Sequence, residues 1–300
     1  MKTALTATTF ALLITTSAAS FAQDASVVMT DQQKQAIWDT ANKAAVMGPT
    51  DIVLGDQAKL HLPESMEFIP AKESAELMRM WGNGADPSLS GLVFAKSQNE
   101  TWTISIRHTA EGYVKDDDAK TWNADELLQS LKDGTAQQNE TRIKMGMPAL
   151  DIVGWVQPPN YSSDRHRLVW SLKAVDRGAA VDEPSTVNYN TYALGKDGYF
   201  EIDLMTNDKS VEKDKSSAYQ IVDAVDYNAG KKYSDFKPET DHVAEYGLAA
   251  LVAGVAAKKL GFLALAGVFV LKFIKIIGVA AVVGAGTAKK FLFGRKNDTP

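Results

Sequence analysis

The chain has 300 residues, no cysteine and a net charge of −5. Without cysteine there is no disulfide framework, thiolate metal site or thiol nucleophile, so the fold must stand on its own core. Of the 32 Lys and Arg, 23 lie between residues 23 and 245 against 36 of the 37 acids, a body of net −13. Residues 246–300 carry 8 basic residues and 1 acid, net +7. The acidic body argues against nucleic acid as a partner and against docking flat on anionic headgroups.

In chain order, Lys2, the apolar run Ala4 to Thr16 and the exit Ser20-Phe21-Ala22 have the three-part form of a secretory signal, with cleavage expected after Ala22. Thr30 reads as the N-cap of a helix from Asp31 to Met47 that stops before Gly48-Pro49. Ile52 to Leu54 and Ala58 to Leu62 flank Gly55-Asp56 as a tight hairpin. Pro70 opens a short helix to Trp81, and strands follow at Gly91 to Lys96 and Thr101 to His108, the latter with Trp102, Ile104 and Ile106 on one face. Asn123, with Glu126 three residues on, caps a long helix from Ala124 to Lys144. Arg165 to Val175 alternates Leu168, Trp170, Leu172 and Ala174 on one side, and strands Thr186 to Leu194 and Tyr199 to Met205 meet across Gly195-Lys196-Asp197-Gly198. A helix from Ser210 to Val225 follows, and then a polar stretch expected as a tether. The fold class expected is α+β, with a mostly antiparallel sheet, several helices and a C-terminal membrane-associated helical tail. Four segments result: signal 1–22, extracytoplasmic domain 23–225, linker 226–245, and membrane anchor with basic tail 246–300.

The tail is not a clean span. Leu260 to Val283 is 24 mostly apolar residues, about 36 Å as a helix and enough to cross a ~30 Å hydrocarbon core. Lys272 and Lys275 fall near its middle, where each costs about 2.5–3.5 kcal/mol on an insertion scale. Three apart, they form one polar face suited to a partner or to homo-oligomerisation. A single span, a two-helix hairpin turning near Lys272 and helices lying in the interface all accommodate this pattern. The closing cluster Lys289, Lys290, Arg295 and Lys296 favours a cytoplasmic end.

Several runs together resemble a bacterial family known as uncharacterised membrane-anchored proteins, a domain of unknown function. They are Gly112-Tyr113-Val114-Lys115-Asp116-Asp117-Asp118-Ala119, Gly154-Trp155-Val156-Gln157-Pro158-Pro159-Asn160-Tyr161, His166-Arg167-Leu168-Val169-Trp170 and Asn188-Tyr189-Asn190-Thr191. The resemblance runs from about Gly48 to the tail and implies a location and an architecture, with no catalytic residues to carry over. Tyr192 departs from the basic residue that the family pattern has in that strand, which weakens an anion-binding reading of it.

Asp116, Asp117 and Asp118 invite a cation but lack the alternate spacing of a calcium loop. A solvated loop entering the Asn123 helix is the plainer account. Among the four histidines no pair has metal-type spacing, and His166, between Arg165 and Arg167, is the most reactive-looking. No nucleophile elbow or phosphate loop occurs, and no cofactor or metal is expected. Trp155, Tyr161, Trp170, Tyr189, Tyr192 and Tyr199 suit either a sheet core or a recognition groove rimmed by Pro158-Pro159. Tyr161, His166, Asp116, Asp117 and Asp118 are the candidate binding surface. The expected function is a membrane-anchored envelope protein whose acidic domain binds another envelope protein or a glycan. The alternatives are an envelope hydrolase using acids and His166, and a membrane-remodelling role of the tail.

Overall fold

The structure, a computed structural model, describes residues 29–97, 99–144, 148–179 and 185–253. The expected signal and the tail face of Lys272 and Lys275 lie outside the described residues. In chain order the elements are α1 (Asp31–Ala44), β1 (Val46–Met47), β2 (Thr50–Leu54), β3 (Ala58–Leu62), β4 (Met66–Pro70), α2 (Ala71–Met80), β5 (Leu89–Ala95) and β6 (Thr103–Thr109). These are followed by β7 (Tyr113–Lys115), a 3-10 turn (Asp117–Lys120), α3 (Ala124–Lys144), β8 (Leu150–Ser162), β9 (Arg167–Asp176), β10 (Thr186–Leu194) and β11 (Tyr199–Asn207). The last are α4 (Val211–Asp223), β12 (Val225–Tyr227), a 3-10 turn (Tyr233–Asp235), β13 (Val243–Gly247) and α5 (Leu248–Ala253).

The fold is α+β around an eight-stranded antiparallel sheet in the order β1-β4-β5-β6-β11-β10-β9-β8. Alternation along its strands sorts side chains onto two faces. One face buries Ile104, Ile106, Phe200, Ile202, Leu204 and Val187 against Ala218, Ile221 and Val222 of α4 and against Leu60 and Leu62 of the small sheet β12-β3-β2. Each such fully buried aliphatic contributes about 1.5–3 kcal/mol. The other face carries α1 and α2 over β4 and β5, and α3 with α5 over β8 and β9.

Local signals explain most elements. Thr30 and Gln33 form a reciprocal capping box at α1. The helix ends at Ala44, short of the expected Met47, because Val46 and Met47 pair with Phe68 and Glu67. Gly55, at φ 61°, turns the β2–β3 hairpin and leaves Ala58, Leu60 and Leu62 buried. Asn123 Oδ1 accepts from the Asp125 amide at 2.9 Å at the start of α3.

Two expectations are corrected. The Pro158-Pro159 run, read as a loop rim, lies inside β8, because β8 is the outermost strand, where proline has no ladder bond to lose, and register shifts interrupt its pairing. The linker 226–245 is not a free tether. Val225 and Tyr227 pair with Leu60 and Ala58, and the Tyr227 hydroxyl donates to Ala193 O at 2.7 Å. The Tyr233 hydroxyl donates to Val114 O at 2.8 Å, and β13 pairs in parallel with β7. Two large anchors, Tyr227 and Tyr233, together with the small Ala244, dock this otherwise polar stretch. Packing continues into the start of the expected anchor, where α5 buries Leu248, Leu251 and Val252.

Candidate functional site

The β8–β9 turn and the loop after β7 bring Tyr161, His166 and Asp116 together. The Tyr161 hydroxyl donates to Asp116 Oδ2 at 2.8 Å, and its oxygen lies 3.2 Å from His166 Nδ1. A phenol has one proton, so with that proton on Asp116 the imidazole is the donor at Nδ1 and Nε2 keeps its lone pair. His166 sits at φ 52°, the sole non-glycine with positive φ among the described residues. For a residue with a Cβ this costs about 1–2 kcal/mol. Its carbonyl accepts from the Leu194 amide at 3.0 Å, which holds the turn in place.

Burial lowers the His166 pKa, with the Asp116 carboxylate opposing that shift, so the ring favours its neutral form at neutral pH. Burial, then the bond to Asp116, pushes the Tyr161 phenol well above its usual range. A phenol held protonated is a hydrogen-bonding group and not an activated nucleophile. The nearby Ser162 hydroxyl is turned to Asp164.

Beside this triad runs a ladder of rings. His166 lies 4.3 Å from Tyr233 between ring centroids, Tyr233 4.3 Å from Tyr113, and Tyr113 3.9 Å from Phe236. Tyr233 is buried, while His166, Tyr113, Phe236 and Tyr161 are half-buried, so ring edges and faces reach the surface. Tyr113, Tyr233 and Phe236 were not among the sequence candidates. The last two sit in the stretch taken for a tether, and the only signal for them was large aromatics within a polar segment. Of the aromatic set, Trp170, Tyr189, Tyr192 and Tyr199 are buried.

The three aspartates do not act together. Asp116 holds Tyr161. Asp117 is exposed on the 3-10 turn. Asp118 accepts from the amides of Leu248 at 3.1 Å and Ala249 at 2.9 Å, capping α5. A Cβ on Gly247 would lie 2.4 Å from the Asp118 carboxylate, so this contact requires glycine. Among the described residues no group of three or more His, Asp or Glu is placed to hold a metal ion.

A second polar feature escaped sequence reading. On the helical face, between the two helix pairs, β6, β11 and β10 bury Thr103, Ser105, Arg107, Glu201, Asp203, Asn188 and Asn190. Arg107 Nε donates to Asp86 Oδ2 at 2.7 Å, and Asn188 Nδ2 donates to Asp203 Oδ2 at 3.2 Å. Burial opposes the Arg107 charge, but Glu201, Asp86 and Asp203 raise its pKa above the ordinary value. Tyr192 lies in the same strip, its hydroxyl 3.5 Å from Glu201 Oε1.

The family described as "Protein of unknown function (DUF2167)" matches residues 46–283. No curated protein matches the chain in sequence. Among solved structures it is similar to the solution structure of cyanobacterial PsbP (CyanoP) from Synechocystis sp. PCC 6803, at 9% identity and a TM-score of 0.34. That likeness covers 61% of this chain and 91% of the other. Among the described residues no helix is long and apolar enough to cross a membrane, which says nothing of strands.

Proposed function

This chain belongs to the DUF2167 family, and we propose that it is a membrane-anchored envelope protein whose acidic extracytoplasmic domain binds another envelope component through the ring ladder of Phe236, Tyr113, Tyr233 and His166. The observation that carries this reading is the ladder itself: three half-buried rings, Phe236, Tyr113 and His166, packed around the buried Tyr233, with the polar Asp116–Tyr161 pair at one end. Rings with polar tips recognise sugar faces and protein side chains at low entropic cost. The protonated phenol and the neutral imidazole supply hydrogen bonds without an activated nucleophile, which favours binding over hydrolysis. Support for the address comes from the signal-like start and the Lys-studded tail.

The test is photo-crosslinking in intact cells, with a photoreactive residue at Phe236 or, as a control, at Val53, which is 69% exposed on β2. A discrete adduct at Phe236 that Val53 does not give is expected, and equal labelling at both removes the site. For the address, the protein is expected to stay with membranes after an alkaline wash. A reporter fused after Pro300 separates a cytoplasmic end from an outer one.

A further inference from the structure

The ring ladder has a charge as well as a shape, and the charge narrows what can lie on it. Two carboxylates stand beside it. Asp116 sits at the His166 end, where its Oδ2 accepts from the Tyr161 hydroxyl, and Asp117 follows it, exposed, on the 3-10 turn. Both are felt by the rings: after burial, Asp116 and Asp117 help to raise the Tyr113 pKa, and Asp116 acts in the same direction on Tyr233. Lys115 and Lys120 flank the pair in sequence, and Lys232 and Lys237 flank Tyr233 and Phe236, all four exposed. Yet among the described residues no Lys or Arg lies within ion-pair distance of either carboxylate, and Tyr161 is the one side chain that donates to Asp116. A carboxylate has about four acceptor sites, so Asp116 keeps the capacity for further donors. At the other end, Phe236 has one face on Tyr113 at 3.9 Å and 15°, and among the described residues no further ring meets it.

We propose that the ladder's partner is a basic peptide segment of another protein, with one cationic side chain on the Asp116 and Asp117 carboxylates and a second side chain over Phe236. This rests on the ladder as the binding site and adds the chemistry of what binds there. Aromatic faces carry the negative side of the ring quadrupole, so the rings and the two carboxylates present the same sign to a ligand. A cation satisfies both. An ammonium or guanidinium is attracted to ring faces, and a guanidinium also forks onto a carboxylate while its plane lies on a ring. The body's net charge of −13 steers the same class of partner toward the domain. Length agrees as well. The centroid steps from His166 to Phe236 are 4.3, 4.3 and 3.9 Å, a path that about four extended residues cover. A neutral sugar would use the ring faces but leave both carboxylates without counter-charge, and an anionic glycan or headgroup would be repelled.

The probe is acetylated, amidated tetra-arginine, titrated by calorimetry into the full-length protein in a neutral detergent at low salt. Tetra-citrulline, its uncharged isostere, and tetra-N-acetylglucosamine are titrated beside it. Tetra-arginine is expected to bind about tenfold or more tightly than tetra-citrulline. Asp117→Asn changes an exposed side chain and is expected to weaken tetra-arginine about threefold to fivefold. Glu64→Gln removes the same charge from an exposed position in the turn between β3 and β4, and is expected to weaken it less than about 1.5-fold. Phe236→Leu is expected to weaken it about threefold, the loss of one exposed cation–ring contact. Absent binding of tetra-arginine, or equal binding of the arginine and citrulline peptides, overturns the proposal. So do equal losses from Asp117→Asn and Glu64→Gln, which reduce the attraction to the general field of the acidic body. Tighter binding of tetra-N-acetylglucosamine overturns it too and makes the ladder a glycan site. The photo-crosslink at Phe236 does not depend on these probes, so a discrete adduct there without a preference for tetra-arginine removes the partner class and leaves the ladder as the site.

Discussion

Replacing Asp116, Asp117 and Asp118 one at a time by alanine separates three roles that the sequence presents as one acidic run. Asp118 has the largest expected effect. Its carboxylate satisfies two part-buried amides, of Leu248 and Ala249, at the start of α5. Loss of a helix cap costs about 0.5–2 kcal/mol, and a hydrogen bond to a charged group contributes about 1.5–3 kcal/mol net. The two figures describe overlapping interactions, so about 2 kcal/mol is expected, a Tm drop of roughly 4–8 °C for a domain of this size. Asp118→Asn keeps one acceptor oxygen and recovers part of the loss. Asp116→Ala removes the partner of the Tyr161 hydroxyl, which keeps His166 beside it, for about 1–1.5 kcal/mol. Asp117→Ala changes an exposed side chain and stays within about 0.5 kcal/mol. The assay is thermal and urea unfolding of the mature chain, followed by tryptophan fluorescence. Equal losses at all three positions, or the greatest loss at Asp117, would refute the division of roles.

Trp170 is 1% exposed and meets Trp155 edge-on at 6.2 Å, so Trp170→Ala is expected to lower the urea-derived stability by about 3–5 kcal/mol; a cost below 1 kcal/mol would misplace it. Burial lowers the His166 pKa below that of the unfolded chain, so the unfolded state binds the extra proton and this contribution is present above about pH 6.5 and lost as pH falls below it. The difference in urea midpoint between the wild type and His166→Gln should accordingly change between pH 7.5 and 5.5, and a constant difference contradicts the burial of the ring. A chain ending at Asp241 loses β13 and α5 with the buried Leu248, Leu251 and Val252, and is expected to be less stable and to aggregate, whereas one ending at Ala253 keeps them; equal solubility and Tm would show that α5 is dispensable.

Much of the main sheet and its helices was legible because local signals and burial agree. The alternation in Leu168–Ala174 and Trp102–Ile106, the Thr30 box and the Asn123 cap each determine structure within a few residues. What stayed hidden depends on contacts distant in sequence. Met66–Pro70, buried on both faces, has no polar–apolar alternation to mark it, and only its place between β1 and β5 makes it a strand. Residues 226–245 look like a polar linker on average composition, yet three anchors suffice to dock them. The site was half legible. Tyr161, His166 and Asp116 were singled out and do meet, but Tyr233 and Phe236 come from the supposed linker. Asp118 was grouped with Asp116 by adjacency, although its partners lie 130 residues further on. The acidic strip was invisible because its charges are scattered, with Asp86 in the loop before β5, Arg107 on β6 and Glu201 and Asp203 on β11, the strands otherwise reading as apolar alternation.

The ring ladder is assembled from Tyr113, His166, Tyr233 and Phe236, four positions spread over more than half of the described chain. A ribosome delivers them in that order, so the last two rings appear after all the strands of the large sheet have been made. A nascent piece that ends before Phe236 lacks the last ring, so the ladder closes only after the large sheet is complete.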